Sequence, residues 1–165
     1  MTSRGTGAGG ANTNANGLAY EALTDIKFAI GDRFTGVPKG TFHKYMSEFG
    51  HRDQEVSPMH GCRQPDEAYL DEENKKLFII EKKFQQVGGS VCEKIQTGDA
   101  KRENYRDMFP NLYVEYIYVL SDWFRDNCQY ELQYLAKRNI PVFWGSDPNF
   151  KANIKTFMEM KSEPH

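Results

Sequence analysis

Large apolar side chains are almost missing from residues 1–17 and then recur at regular steps, so the chain reads as a polar arm followed by a folded region. Leu18, Leu23, Ile26 and Ile30 follow one another at steps of three to five, which predicts a helix over 18–30 with Asn16 as its cap. Residues 31–53 carry several glycines and a proline and read as loop, with one short helix near 42–49. Residues 67–70 form a strand candidate, 71–74 (Asp-Glu-Glu-Asn) a polar turn, and 77–80 (Leu-Phe-Ile-Ile) an apolar run suited to a central buried strand. The short polar link between the two strands predicts a hairpin. After a loop at 85–90, the pattern predicts a helix over 92–108, weakened by Gly98, and a strand over 112–120. A helix over 127–137 with Leu132 and Leu135 inward, a core strand over 140–144 and a last helix over 153–161 complete the order. The fold class expected is mixed α/β, with a central mixed sheet flanked by helices.

Composition bounds this picture. A chain of 165 residues that is 39% hydrophobic and shows no internal repeat builds a single domain over 18–165, with 1–17 as a flexible arm. Gly5, Gly7 and Gly10 match a dinucleotide-binding spacing, but no strand precedes them, so they belong to the arm. The net charge of −2 excludes a polycation, and any nucleic-acid footprint has to be local. Cys62, Cys92 and Cys128 are odd in number and include no C-x-x-C pair, which speaks against a disulfide framework and for a reducing compartment. No stretch reaches the ~20 apolar residues of a membrane span, and no leader-like start is read, so a cytoplasmic location is expected.

The chemistry concentrates in Pro65-Asp66 and Glu81-Lys82-Lys83, with fourteen residues between Asp66 and Glu81. Asp66 begins one arm of the predicted hairpin and Glu81 ends the other, so the turn brings the two carboxylates together. Lys83 lies two residues beyond Glu81 and shares its face of the strand. Two carboxylates suit magnesium, which takes hard oxygen ligands and keeps several waters. The backbone carbonyl of Lys82 offers a further ligand, and Lys83 can orient or deprotonate a water and stabilise charge on a phosphoryl transition state.

These residues resemble the signature of the PD-(D/E)XK nuclease superfamily. The tract EKKFQQVGGSVCEKIQTG, residues 81–98, is similar to the catalytic strand and following loop and helix of type II restriction endonucleases. The resemblance implies a restriction-endonuclease-like αβββαβ core over 18–144 and cleavage of double-stranded DNA. It implies Mg2+ as cofactor on Asp66, Glu81 and Lys82, with Lys83 catalytic and Glu21, on the first helix, assisting. It also implies a homodimer, because cutting both strands of a symmetric site suits a two-fold pair. Alternatives left open are a repair or junction-resolving nuclease, the cleavage subunit of a heteromeric enzyme, and a non-catalytic DNA-binding module.

Residues 75–106 hold eight basic and four acidic side chains, a local excess expected to favour phosphate contacts. Gln85, Gln86, Ser90, Lys94, Gln96, Lys101 and Arg102 are the candidate DNA-binding residues. His43, His51, His60 and Cys62 fit no common zinc spacing. Cys62 and Cys92 lack the partners of a cysteine nucleophile.

Overall fold

The computed structural model describes residues 16–85 and 92–163, so the arm, its glycines and most of the loop at 85–90 lie outside the described residues. Twelve described elements follow in order. They are α1 (residues 16–23), β1 (Thr35–Gly36), α2 (Phe42–Glu48), β2 (Glu67–Asp71), β3 (Lys76–Lys83), α3 (Glu93–Gln96), α4 (Gly98–Met108), β4 (Tyr113–Leu120), α5 (Asp122–Asn127), α6 (Gln129–Lys137), β5 (Val142–Trp144) and α7 (Phe150–Lys161), α1 being the described part of the first helix.

The five strands form one mixed sheet in the order β1-β2-β3-β4-β5. The β1–β2 and β2–β3 pairs are antiparallel, whereas the β3–β4 and β4–β5 pairs are parallel. The connections explain the change. Asp71 accepts hydrogen bonds from the Asn74 backbone N–H and side-chain amide, and Lys75 takes a positive φ of 57°, which closes β2–β3 as a tight hairpin. Parallel pairing needs a crossover long enough to return the chain, and α3–α4 and α5–α6 supply the two crossovers.

β3 is the centre of the molecule, paired on both sides and buried over nearly its whole length. Leu77 and Ile79 join one apolar layer with α2, α4 and α6, while Phe78 and Ile80 join a second layer with Ile26, Ile30 and α7. Each fully buried side chain of this kind stabilises the fold by about 1.5–3 kcal/mol. A strand buried on both faces reads as a continuous apolar run, as 77–80 does.

Four expectations need correction. The first helix stops at residue 23: Thr24 Oγ1 donates to the Tyr20 carbonyl and the Asp25 carboxylate accepts the Lys27 N–H, so two polar side chains take over backbone partners at that point. Ile26 and Ile30 are buried, but Leu18 and Leu23 are 59% and 74% exposed, so the four do not form one stripe. The helix expected over 92–108 breaks into α3 and α4 at Thr97. Gly98 allows close packing there, because a Cβ would come within 2.8 Å of the Tyr118 ring. Finally, Cys92 and Cys128 form a disulfide between the start of α3 and the α5–α6 junction, while Cys62 is free and buried. The odd cysteine count did not exclude a single bridge, and the inference of a reducing compartment loses its support. Among the described residues no helix is long and apolar enough to cross a membrane.

Candidate active site

The hairpin register pairs Glu67 with Ile80, so Asp66 comes opposite Glu81 at the open end of β2–β3. Residues opposite each other in an antiparallel pair share a face. Asp66 and Glu81 therefore point to the α4 side, and Lys83 joins them two residues on.

Each carboxylate has a defined surrounding. The Lys82 backbone N–H donates to Asp66 Oδ2 at 2.7 Å. Lys82 Nζ lies on the opposite face, where it pairs with Glu67 and donates to the Glu21 carbonyl at 3.1 Å. Because N–H and C=O of one strand residue point to the same side, the Lys82 carbonyl is directed toward Asp66. Continuing the register sets Pro65 opposite Lys82, and proline has no N–H to donate to that carbonyl. Lys83 Nζ lies 3.3 Å from Glu81 Oε1. Glu81 Oε2 is buried with no hydrogen-bond partner, in a side chain only 9% exposed.

Burial and the neighbouring Asp66 charge push the Glu81 carboxyl up to about 7, against the lowering pull of Lys83 and Lys101. Burial raises the Asp66 carboxyl too, and Glu21 adds to the rise, opposed by the Lys82 N–H bond and by the Lys83 and Lys39 charges. Burial is the largest cause of both rises, with the charges of neighbouring acids adding to it.

Two of those lysines come from distant elements. Lys101, on α4, is buried, with burial and the Lys83 charge drawing its ammonium below the ordinary lysine range. Its stem passes close over Gly61, which has a φ of +94° and where a Cβ would come within 2.9 Å of Lys101 Cε. Lys39 follows β1 and stands between two acids, 3.0 Å from Glu21 Oε2 and 3.9 Å from Asp66 Oδ1. Burial alone would lower its pKa, but the bond to Glu21 and the charges of Glu21, Asp66 and Glu81 hold it above the ordinary lysine value. A cleft of about 380 Å³ opens beside Lys39 and Asp66, lined also by Asp25, Lys27, Val37 and Tyr69.

Asp66, Glu81, Lys83 and Glu21 thus gather at one end of the sheet, although Glu21 reaches the others through Lys39. The proposed DNA contacts are more dispersed. Lys101 belongs to the carboxylate cluster and Lys94 is exposed on α3. Gln96 donates to Glu131 at 3.3 Å, and Arg102 donates to the Arg138 carbonyl at 2.6 Å, at the end of α6. Gln85 is tied to β4's exit, its N–H and carbonyl both bonded to the Ser121 hydroxyl. Gln86 and Ser90 lie outside the described residues.

The basic excess counted over 75–106 does not all face this end. Lys76 begins β3, five residues or about 16 Å of extended strand from Glu81, and its ammonium covers the Tyr113 ring. Sequence reasoning missed Lys39 altogether, since an isolated lysine in a glycine- and proline-bearing stretch has no local signal.

Other chemistry is weaker. Burial pushes the Cys62 thiol up to about 12, the opposite of what a nucleophile needs. His43 bonds to the Cys62 carbonyl and His51 to Glu72, so these histidines do not converge. Cys92, Cys128 and Glu131 bring ligand-type atoms within 4.8 Å of one another, but the two sulfurs are joined as a disulfide and are not thiolate ligands. Against this geometry no protein-family model, no curated protein and no solved structure matches the chain.

Proposed function

We propose that this chain is a Mg2+-dependent endonuclease acting on double-stranded DNA, with a restriction-endonuclease-like PD-(D/E)XK core. The observation that carries the reading is Glu81, a buried carboxylate with one oxygen unpartnered, opposite Asp66 and two residues before Lys83. A buried polar atom without a partner is uncommon, and a cation is the partner that two adjacent carboxylates are suited to hold. The sheet supports the fold part of the reading, because three antiparallel strands followed by a helical crossover to a parallel strand match the αβββαβ order.

Asp66, Glu81 and the Lys82 carbonyl would hold the ion. Bound there, Mg2+ supplies a Lewis acid for the phosphate and a lowered pKa for an attacking water. The chain's own groups do the rest. The Lys82 N–H holds Asp66 in one orientation. Lys83 orients the water and places positive charge against the developing phosphoryl charge. Lys101, anchored on α4, adds a second ammonium on the same face. A two-fold homodimer would present one such site to each DNA strand.

Digestion of a plasmid of known sequence with Mg2+, followed by sequencing of the ends, tests the proposal. Discrete fragments with 5′-phosphate or 3′-phosphate ends at a repeated sequence are expected for a site-specific enzyme. Calcium should support DNA binding without cutting, because its looser coordination activates water poorly. DNA left intact under Mg2+, with binding unaffected by Asp66→Ala, would favour a non-catalytic DNA-binding module instead.

A further inference from the structure

The site already contains a cation that belongs to the chain. Lys39 Nζ bridges Glu21 Oε2 and Asp66 Oδ1, at 3.0 Å and 3.9 Å, and its side chain is 44% exposed. The carboxylates therefore fall into two unequal halves. On the Glu81 half, a buried oxygen has no partner. On the Glu21 half, the space between the two acids is taken by an ammonium. Nor do Asp66, Glu81 and Glu21 converge as a single three-carboxylate cage, because among the described residues the one group of three ligand atoms within 4.8 Å is Cys92, Cys128 and Glu131.

Enzymes that use two divalent ions on a phosphodiester hold them about 3.5–4 Å apart, one for the attacking and one for the leaving oxygen. A second ion held between Asp66 and Glu21 would need the oxygens that Lys39 occupies. A divalent ion and an ammonium cannot share that space without strong like-charge repulsion. We propose that Lys39 is a built-in cation that makes this a one-ion site, its ammonium standing in for the second divalent ion between Asp66 and Glu21. This inference rests on the metal-binding reading of Asp66 and Glu81. The exposed part of the side chain leaves the ammonium able to meet a phosphate oxygen, so it supplies charge to the substrate without a metal's ligand demands.

Titration calorimetry with Mn2+ on the full chain, without DNA, reads the ion count directly and does not depend on activity. One ion per chain is expected for the wild-type protein, two for Lys39→Met, and one again for Lys39→Arg, which restores the charge. Combining Lys39→Met with Glu21→Gln should return the count to one by removing the second ion's carboxylate. Lys39 is in an exposed stretch, so its replacement is expected to leave the fold intact, checked by an unchanged melting temperature. Two ions on the wild-type protein, or one ion on Lys39→Met, would overturn the proposal while leaving the metal site itself in place. No ion on any of these proteins would overturn the proposal and the metal reading of Asp66 and Glu81 together.

Discussion

The two faces of β3 bury charge in opposite ways. Glu81 and Lys82 are neighbours in sequence and each is 7% exposed. On the α7 side, Lys82 meets the Glu67 carboxylate and the Glu21 carbonyl, and Glu67 also accepts from the Tyr69 hydroxyl and the Ile26 N–H. On the α4 side, Glu81 has a single 3.3 Å contact with Lys83 and a buried oxygen left over. In the first arrangement Glu67 Oε1 meets the Lys82 ammonium and Oε2 accepts from Tyr69 and Ile26, which ties α1 and the segment after it to the sheet. The second is incomplete, and burial with a like charge beside it keeps a proton on the carboxyl up to about pH 7. Burial alone does not mark a functional residue; what sets Glu81 apart is a buried carboxylate oxygen without a partner beside a second carboxylate.

The largest effect expected from breaking this contrast is on the completed face. Lys82→Met leaves Glu67 buried without its cation and should destabilise the protein by about 3–5 kcal/mol, read from urea unfolding. Adding Glu67→Gln should recover most of that loss, because the uncompensated charge is then gone. On the α4 face Lys83→Ala should cost less stability than Lys82→Met, because Glu81 can hold a proton up to about pH 7 once its cation is gone, and should slow DNA cleavage by roughly a hundred- to a thousandfold, the scale for one transition-state charge partner. Steady-state cleavage rates and a melting curve separate the two outcomes.

Glu81→Gln should make the metal-free protein more stable by about 3 kcal/mol at pH 8, since the carboxyl is raised from 4.5 to about 7 and each unit corresponds to about 1.4 kcal/mol. The direction follows from proton counts. Below the ordinary carboxylate pKa both folded and unfolded chains carry the proton, and the wild-type site is unstrained. Between that value and about 7 the folded state holds the proton and the unfolded state releases it, so stability falls as pH rises. Above about 7 the buried charge is fully expressed. Melting temperatures across this range should therefore slope downward with pH for the wild-type protein and be flatter for Glu81→Gln. The smallest expected effect is that of Lys101→Met. Removing its charge should move the pH midpoint of cleavage upward by less than about one unit, because Lys101 helps to keep Glu81 ionised.

Much of the sheet was legible in the sequence. The run at 77–80 and the polar turn at 71–74 carry their pairing in local chemistry, and Pro65-Asp66 and Glu81-x-Lys83 fall at its open end as expected. What stayed hidden depends on distant parts of the chain. β1 is two residues long and exists because Thr35 and Gly36 pair with Leu70 and Tyr69, which no periodicity announces. α5 starts after Ser121, whose hydroxyl bonds the Gln85 backbone instead of capping the helix, so the usual start signal is spent elsewhere. Lys39 and Lys101 reach the carboxylates across sheet and helix, and the Cys92–Cys128 bridge joins residues 36 apart. Arg102 looked like a phosphate contact, but its guanidinium is engaged with carbonyls at the end of α6.

Under the proposed function, the incomplete face of β3 is the reacting one. Its most direct test is cleavage of circular duplex DNA with Mg2+ by the wild-type protein and by Glu81→Gln, with melting temperatures taken on the same samples without metal. The wild-type protein should cut, while Glu81→Gln should melt higher and leave the DNA intact. Equal cutting by both proteins, or intact DNA with the folded wild-type protein, would contradict that reading.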